Sequence, residues 1–198
     1  MMLGPFDKYL IIINILGLIL FIINHLLYKY TENGQIDNLL TIIALAGGAL
    51  GMVIAILIFD RKAVKANMMS RVFIVCIFII WIVIFLMIKG FINTKLSFAF
   101  WEFFGKHKLL VAYLWIINIV TIIAFAMDKK AAIKNDVKSR IRIVTLLGLA
   151  IIGGSIGALT GMYIFHHKTR KDYFTVGVPL IMVMQVFVLF YLMNANLF

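Results

Sequence analysis

Six long apolar runs of about 20 residues each dominate this sequence and restrict what it can fold into. An α-helix needs about 20 residues to cross the hydrocarbon core of a bilayer, and backbone polar groups in lipid must be paired within the protein. Apolar residues make up 64% of the 198-residue chain and charged residues 14%, against about 25% charged in soluble domains. We therefore predict an all-α, polytopic membrane helix bundle with six transmembrane helices, over Leu10–Tyr28, Leu39–Phe59, Val72–Ile92, Leu109–Met127, Ile143–Phe165 and Phe174–Met193.

The net charge of +11 does not indicate a nucleic-acid-binding domain, because the basic residues lie in short connections between the apolar runs. Basic loops at a membrane surface are typical topology signals and contact anionic lipid headgroups. Membrane lipids with anionic headgroups are therefore the expected partners, and nucleic acid is not. Cys76 is the single cysteine and lies inside an apolar run, which excludes an intramolecular disulfide. No metal or cofactor is expected.

The two halves of the chain match each other in order and spacing. Tyr9–Ile15 agrees with Tyr113–Ile119 at six of seven positions, including Asn14 and Asn118. Further matches keep the same order: Gly47, Gly48 and Gly51 with Gly153, Gly154 and Gly157, then Lys62 with Lys168, and Lys65 with Lys171. Such a series indicates duplication of a three-helix unit, and we divide the chain into repeats 1–104 and 105–198.

Three crossings per unit would make the second copy enter the membrane from the opposite side. The prediction is thus an inverted repeat with a pseudo-twofold axis in the membrane plane. With six crossings, the side that holds the N-terminus, residues 60–71 and residues 128–142 carries 11 of the 19 Lys and Arg. The positive-inside rule then favours a cytoplasmic N-terminus.

The second half resembles a family of small bacterial membrane proteins known as domain of unknown function 1294. The residues that carry the resemblance are Met127–Ala131, Ser139–Ile141, Leu146–Gly148, Gly153–Ala158, His167–Lys171, Phe174 and Pro179. The first half keeps the glycines and Lys62 but has no His-Lys-Thr sequence, as a diverged copy would. The resemblance implies a multi-pass protein of the bacterial cytoplasmic membrane, and it implies no particular activity.

Small residues recur every four positions in the second and fifth predicted helices, at Gly47, Gly51 and Ala55 and at Gly153, Gly157 and Gly161. Glycine lets helix backbones approach closely, so these helices are predicted to form the centre of the bundle. The Gly-Gly pairs (Gly47-Gly48 and Gly153-Gly154) would also permit a local helix break at membrane depth, as in transporter binding sites. Asn14, Asn118 and Gln185 are buried amides that need hydrogen-bond partners.

Basic residues follow the second and fifth predicted helices. One group is His167, Lys168, Thr169, Arg170 and Lys171; its counterpart is Arg61, Lys62 and Lys65. Such groups either anchor helix ends in the headgroup region or bind phosphate. Asp128 and Lys129 follow the fourth helix, and the inverted topology predicts that Asp128 lies on the membrane side opposite His167.

Three functions fit this pattern. The leading hypothesis is a small transporter or channel-like protein for an anionic solute or lipid headgroup, since inverted repeats with Gly-rich central helices are typical of transporters. The alternatives are a non-transporting scaffold that binds anionic lipid or a partner protein, and a membrane enzyme acting on a phospholipid or polyprenyl-phosphate headgroup. The sequence designates no catalytic residue, which disfavours an enzyme, and the glycine faces leave a homodimer open.

Overall fold

A computed structural model describes residues 4–30, 36–91 and 96–195 of the chain. The chain divides into two compact units, Met1–Phe85 (unit 1) and Leu86–Phe198 (unit 2). The helices of unit 1 are α1 (Pro5–Tyr30), α2 (Asp37–Ile43), α3 (Ala49–Phe59) and α4 (Met68–Ile88), the last of which continues a few residues into unit 2. Those of unit 2 are α5 (Phe100–Lys106), α6 (Lys108–Ile133), α7 (Ile143–Leu149), α8 (Ser155–Ile164), α9 (Asp172–Thr175) and α10 (Gly177–Asn194).

The predicted all-α membrane fold is confirmed, and no strand occurs in the described ranges. Six helical segments are long and apolar enough to cross a membrane by length and composition. They are Pro5–Tyr30, Asp37–Phe59, Met68–Ile88, Lys108–Ile133, Ile143–Ile164 and Asp172–Asn194. One predicted boundary, Ile92 at the end of the third helix, lies outside the described residues.

The fifth apolar segment does not run straight through unit 2. The backbone N–H of Ile141, just before α7, donates to Asp128 Oδ1 at 3.0 Å, and His167, just after α8, lies 2.7 Å from Asp128 Oδ2. A straight helix of 22 residues would hold its ends about 33 Å apart. Since both ends of the segment contact one residue of α6, α7 and α8 form a helical hairpin.

The tip of this hairpin lies near the start of α6. The hydroxyl of Tyr113 donates to the carbonyl of Ile152, and the N–H of Gly157 donates to Asn118 Oδ1 at 2.6 Å. From Tyr113 to Asp128 the hairpin follows α6 for about 22 Å, which is most of a hydrocarbon core about 30 Å thick. It therefore penetrates deeply and returns to the end from which it entered.

Unit 1 has the same hairpin, formed by α2 and α3. Its start is held by Asn24, whose Oδ1 accepts the N–H of Ile36 at 2.9 Å. Its tip contacts the beginning of α1, where the Tyr9 hydroxyl donates to the carbonyl of Ala46 at 2.6 Å. From the tip, α3 runs back along α1, and it packs with α2 against α4 in a core of Leu40, Ala44, Ala49, Met52, Ile56, Ile74 and Ile77.

Glycines permit the reversal at the tip. Each hairpin reverses at a kink, within Ala44–Gly48 or Ala150–Gly154, where one glycine has a positive, non-helical φ: Gly47 at 111° and Gly153 at 126°. L-residues rarely adopt this conformation. The local helix break considered from the Gly-Gly pairs is therefore present in both units.

The fold-back changes the number of complete crossings. In unit 1, Phe6 near the start of α1 stacks on Phe85 near the end of α4, with ring centroids 6.5 Å apart. In unit 2, Lys108 at the start of α6 and Leu192 near the end of α10 line one groove. Each unit therefore begins and ends at one end, and its hairpin segment does not run from one end of the unit to the other. The prediction of an inverted repeat assumed three crossings, and it is not confirmed.

Candidate functional site at the hairpin ends

Polar side chains from the flanking helices satisfy the backbone groups at the hairpin tip of unit 2. Gln185 Nε2 of α10 donates to the carbonyls of Ala150 and Ile151 at 2.6 and 3.0 Å. Asn118 Nδ2 donates to the carbonyl of Gly153 at 3.0 Å. The predicted need of Asn118 and Gln185 for partners is thus met by the broken helix itself.

The tip of unit 1 is held in the same manner by different side chains. Trp81 Nε1 of α4 donates to the carbonyl of Leu45 at 3.1 Å, and Asn14 Oδ1 accepts the N–H of Gly51 at 2.9 Å. Unpaired backbone groups in lipid cost several kcal/mol each. These bonds therefore stabilise the break and give Asn14 and Asn118 a structural role.

The base of the unit 2 hairpin is held by a buried ionic cluster. Asp128 of α6 has no solvent-exposed surface, and its Oδ2 lies 2.7 Å from both His167 Nε2 and Lys168 Nζ. Lys168 Nζ also lies 5.0 Å from the ring centroid of Phe174, within the range of a cation–π interaction. Both oxygens of the Asp128 carboxylate are therefore used to connect α6 with the two ends of the hairpin.

The prediction that Asp128 and His167 lie on opposite membrane sides is wrong. It rested on a straight fifth helix, which would carry His167 away from the end of α6. The reversal at Gly153 returns the chain to that end, and His166 and Lys168 complete the approach with φ angles of 46° and 63°. Non-glycine residues adopt positive φ at a cost, which the buried bonds of Asp128 offset.

The predicted basic group after α8 therefore divides into two parts. His167 and Lys168 turn inward to Asp128, whereas Arg170 and Lys171 are exposed and Thr169 is half-buried. Because residues 128–142 and 165–171 meet at one end of unit 2, Lys129 lies at the same end as Arg170 and Lys171. We call the exposed or half-buried bases of this end the basic end: Lys129, Lys130, Lys134, Lys138, Arg140, Arg142, Arg170 and Lys171.

A different arrangement forms the hairpin base of unit 1. Asn24 Nδ2 donates to Asp37 Oδ1 at 3.0 Å, so a neutral amide stands where unit 2 has a carboxylate. After α3, Asp60 forms an ion pair with Arg71 of α4 at 3.1 Å and accepts two hydrogen bonds from Asn67. The predicted basic residues Arg61, Lys62 and Lys65 are all exposed.

An open cleft of about 420 Å³ lies at this base, between α1, the hairpin and α4. Its polar lining includes Asn24, Asp37, Asp60 and Arg71. Its walls are mainly apolar, with Phe21, Leu40, Ile56, Phe73 and Ile74 among them. Three of the polar residues, Asn24, Asp37 and Arg71, were not singled out from the sequence, because they stand at the ends of apolar runs, where polar residues are usual. The Asn24–Asp128 match in the repeat was the signal that could have drawn attention to them.

The fold and these ends define an all-helical, multi-pass membrane protein in which each of two units contains one re-entrant helical hairpin. The model of a family described as protein of unknown function (DUF1294) matches residues 118–174. These residues extend from Asn118, which forms hydrogen bonds with the hairpin tip, through the hairpin to Phe174. An uncharacterized protein, YsdA of Bacillus subtilis (strain 168), is 36% identical over 77 residues, which are 39% of this chain and 84% of that protein.

The chain belongs to the DUF1294 family. It is more than twice as long as its Bacillus subtilis relative, as the shares of the two chains require. No solved structure matches the chain. The family match includes Asp128, His167 and Lys168, so the ionic cluster lies within the segment that the family model describes.

Proposed function

We propose that the protein binds anionic lipid headgroups at the basic end of unit 2. The main support is that the fold-back brings Arg170 and Lys171 to the end that already carries six bases of residues 129–142. None of these eight side chains forms an ion pair with another residue of the described ranges. Arg and Lys are the usual ligands of phosphate oxygens. Each base near an anionic membrane surface contributes about 1 kcal/mol of attraction.

The charge distribution also supports an orientation. In unit 2 the basic end contrasts with Lys106 and Lys108 at the start of α6. In unit 1 the hairpin base carries Lys29, Arg61, Lys62, Lys65 and Arg71, against Lys8 near the start of α1 and Lys89 just after α4 at the other end. By the positive-inside rule, we propose that the hairpin bases face the cytoplasm. The start of α1 then lies on the other side, in place of the cytoplasmic N-terminus expected for six crossings.

Native mass spectrometry of the full chain with added phosphatidylglycerol tests lipid binding. Replacing Arg140, Arg142, Arg170 and Lys171 by Gln should weaken the apparent affinity at least tenfold, given about 1 kcal/mol per base. The matched control is the Arg61→Gln, Lys62→Gln, Lys65→Gln variant, which removes three exposed bases from unit 1 and should change the affinity much less. Equal losses in both variants, or equal binding of phosphatidylcholine, would contradict a specific site.

The re-entrant hairpins favour transport of an anionic solute or lipid as a second candidate function. Broken helices at membrane depth occur where the backbone is buried in protein or lines a cavity, and many transporters build their sites there. Here side chains of the protein form hydrogen bonds with the backbone groups at both tips, so these groups are not available to a solute. We therefore propose that a transported solute or lipid would bind at the hairpin bases. Flux of a fluorescent anionic lipid or solute into proteoliposomes, above that of protein-free vesicles, would support transport over a scaffold.

An enzyme acting on a lipid headgroup has less support. Asp128 and His167 are in contact and could in principle exchange a proton, but both are buried and the bonds of Asp128 go to the protein itself.

We also propose that the two units arose by duplication. Support comes from paired roles at a constant spacing of 104 residues in the flanking helices: Tyr9 with Tyr113, Asn14 with Asn118, Asn24 with Asp128, and Trp81 with Gln185.

A further inference from the structure

The cleft at the hairpin base of unit 1 has the size and lining of a small-molecule site. Its volume of about 420 Å³ falls in the range of about 300–1,000 Å³ that is usual for such sites. Apolar side chains from three helices form its walls, and polar groups are confined to a few positions. A ligand that fits would have an apolar body and a small number of polar atoms.

The charges around the cleft are not balanced. Asp60 is neutralised by Arg71, which also donates to the carbonyls of Asp60 and Lys62. Asp37 is different, since it accepts hydrogen bonds from the uncharged Asn24 amide and Tyr28 hydroxyl at 3.0 and 3.3 Å and has no ion pair with any residue in the described parts of the chain. The imidazole of His25 also lines the cleft. Asp37 is therefore the one carboxylate of the lining that has no ion pair among the described residues.

The position of Asp37 specifies where a cation would bind. Its residue is exposed at the open rim, so the carboxylate retains water contact while Asn24 and Tyr28 hold it in place. Tyr28, Phe21 and Phe73 line the same cleft and offer aromatic faces, which attract cations. An anion would meet the Asp37 charge, and the positive charge of Arg71 is already paired with Asp60 through Nη2, although its buried Nε has no partner among the described residues.

We infer that this cleft binds an amphipathic organic cation, with the apolar body between α1, the hairpin and α4 and the cationic centre beside Asp37. This inference goes beyond the proposed lipid binding and concerns a different unit. Failure of one of the two proposals would therefore leave the other unaffected. An amphipathic cation is recognised by Asp37 and the apolar walls, whereas an anionic headgroup is recognised by the basic end of unit 2.

Tetraphenylphosphonium and tetraphenylborate form a matched pair of probes, because they have nearly the same shape and opposite charge. Equilibrium dialysis of the full chain in detergent should give saturable binding of tetraphenylphosphonium and at least tenfold weaker binding of tetraphenylborate. Asp37→Asn should weaken binding of the cation at least tenfold, whereas Asp136→Asn, at an exposed acid of unit 2, should leave it unchanged. Similar affinities for the two ions, or unchanged binding by Asp37→Asn, would overturn the inference.

A second variant, which keeps Asp37, tests the inference even if the Asp37→Asn protein does not fold. Ser70→Trp adds a bulky side chain at an exposed position of the cleft lining and leaves every charge in place, so it should also weaken cation binding severalfold. If Ser70→Trp binds as well as the parent protein, the cleft is not the site. The Arg140, Arg142, Arg170 and Lys171 variant should keep full cation affinity even if it loses phosphatidylglycerol.

Discussion

The two hairpin bases begin from the same contact and diverge from it. In both units a side chain near the end of the first long helix accepts the N–H that starts the hairpin: Asn24 for Ile36 at 2.9 Å and Asp128 for Ile141 at 3.0 Å. In unit 2 the acceptor is a carboxylate, and it binds His167 and Lys168 from the far end of the hairpin. In unit 1 it is a neutral amide that binds Asp37, and an open cleft lies beside it.

Asn24 and Asp128 differ in one side-chain atom, an amide nitrogen in place of a carboxylate oxygen. This difference accompanies two arrangements of the same hairpin base, one open and one closed. A buried carboxylate requires cationic or hydrogen-bonding partners, so Asp128 closes its base with a lysine and a histidine. A buried amide needs hydrogen bonds but no counter-charge, and in unit 1 the end of α3 pairs with α4 through Asp60 and Arg71 instead of with Asn24. The closed base is suited to stability, and the open base is suited to a ligand.

The largest effect is expected from Asp128→Asn. The amide can still accept the N–H of Ile141, but it removes the carboxylate that His167 and Lys168 contact in the buried cluster. Removing one partner of a buried ion pair costs about 3–5 kcal/mol, which thermal unfolding of the purified protein should detect. Adding Lys168→Met to Asp128→Asn should recover part of this loss. A stability unchanged by Asp128→Asn would mean that the cluster does not hold the hairpin.

A smaller effect is expected from Gly157→Ala at the tip of the unit 2 hairpin. A Cβ there would overlap the carbonyl oxygen of Asn118, and overpacking typically costs about 1–3 kcal/mol. Gly148→Ala in α7 is the control, because a Cβ at Gly148 meets nothing within 4 Å. It should be neutral or stabilise by roughly 0.5–1 kcal/mol through helix propensity. Equal destabilisation by both changes, measured by thermal unfolding, would argue against close packing of α8 on α6.

The hydrogen bonds of Asn118 and Asn14 to the two hairpin tips should contribute different amounts to the free energy of unfolding. Asn118→Ala frees both the N–H of Gly157 and the carbonyl of Gly153, whereas Asn14→Ala frees the N–H of Gly51. Each buried group left unpaired costs about 1–3 kcal/mol, so the Asn118 variant should lose more. Thermal unfolding of the two variants side by side measures this difference, and a larger loss for Asn14→Ala would contradict this order.

The smallest effect should come from making the open base resemble the closed one. Asn24→Asp places a carboxylate beside Asp37, where two unit charges about 4 Å apart repel by about 1 kcal/mol in a water-like medium. The double variant Asn24→Asp, Asp37→Asn should restore the stability, and thermal unfolding at neutral pH compares the two. If Asn24→Asp were stabilising, the base of unit 1 would contain a cation close to Asn24 that the described contacts do not include.

The six apolar segments could be predicted from the sequence, because hydropathy depends on neighbouring residues alone. The requirement of Asn14, Asn118 and Gln185 for hydrogen-bond partners could also be predicted, because any buried amide has it. The sequence was insufficient to predict the reversal. The two hairpin segments have mean hydropathies of 2.7 and 2.1, within or close to the 2.3–3.1 of the other four segments, so a hairpin of two short helices reads as one spanning helix. Gly-Gly at corresponding places in both halves was the available signal, since interrupted segments in repeated units often mark broken helices.

The hairpin bases could not be predicted for a related reason. The partners of Asp128 are 39 and 40 residues away in the chain, and only the reversal at Gly153 brings them together. An inverted, six-crossing topology placed them on opposite sides. The sequence matches between the halves were interpreted as equivalent positions, and the three-dimensional contacts of those positions depended on the direction of α8.

Cysteine accessibility on the two flanks of the unit 2 hairpin tests the fold-back most directly. In a Cys76→Ser background, single cysteines at Lys138 and Arg170, both exposed, would be labelled with a membrane-impermeant maleimide in oriented vesicles. A third cysteine at Glu102 in α5, before the start of α6, marks the other end of the unit. We expect Lys138→Cys and Arg170→Cys to react from the same side and Glu102→Cys from the opposite side. Labelling of positions 138 and 170 from opposite sides would contradict the re-entrant hairpin and restore a six-crossing topology.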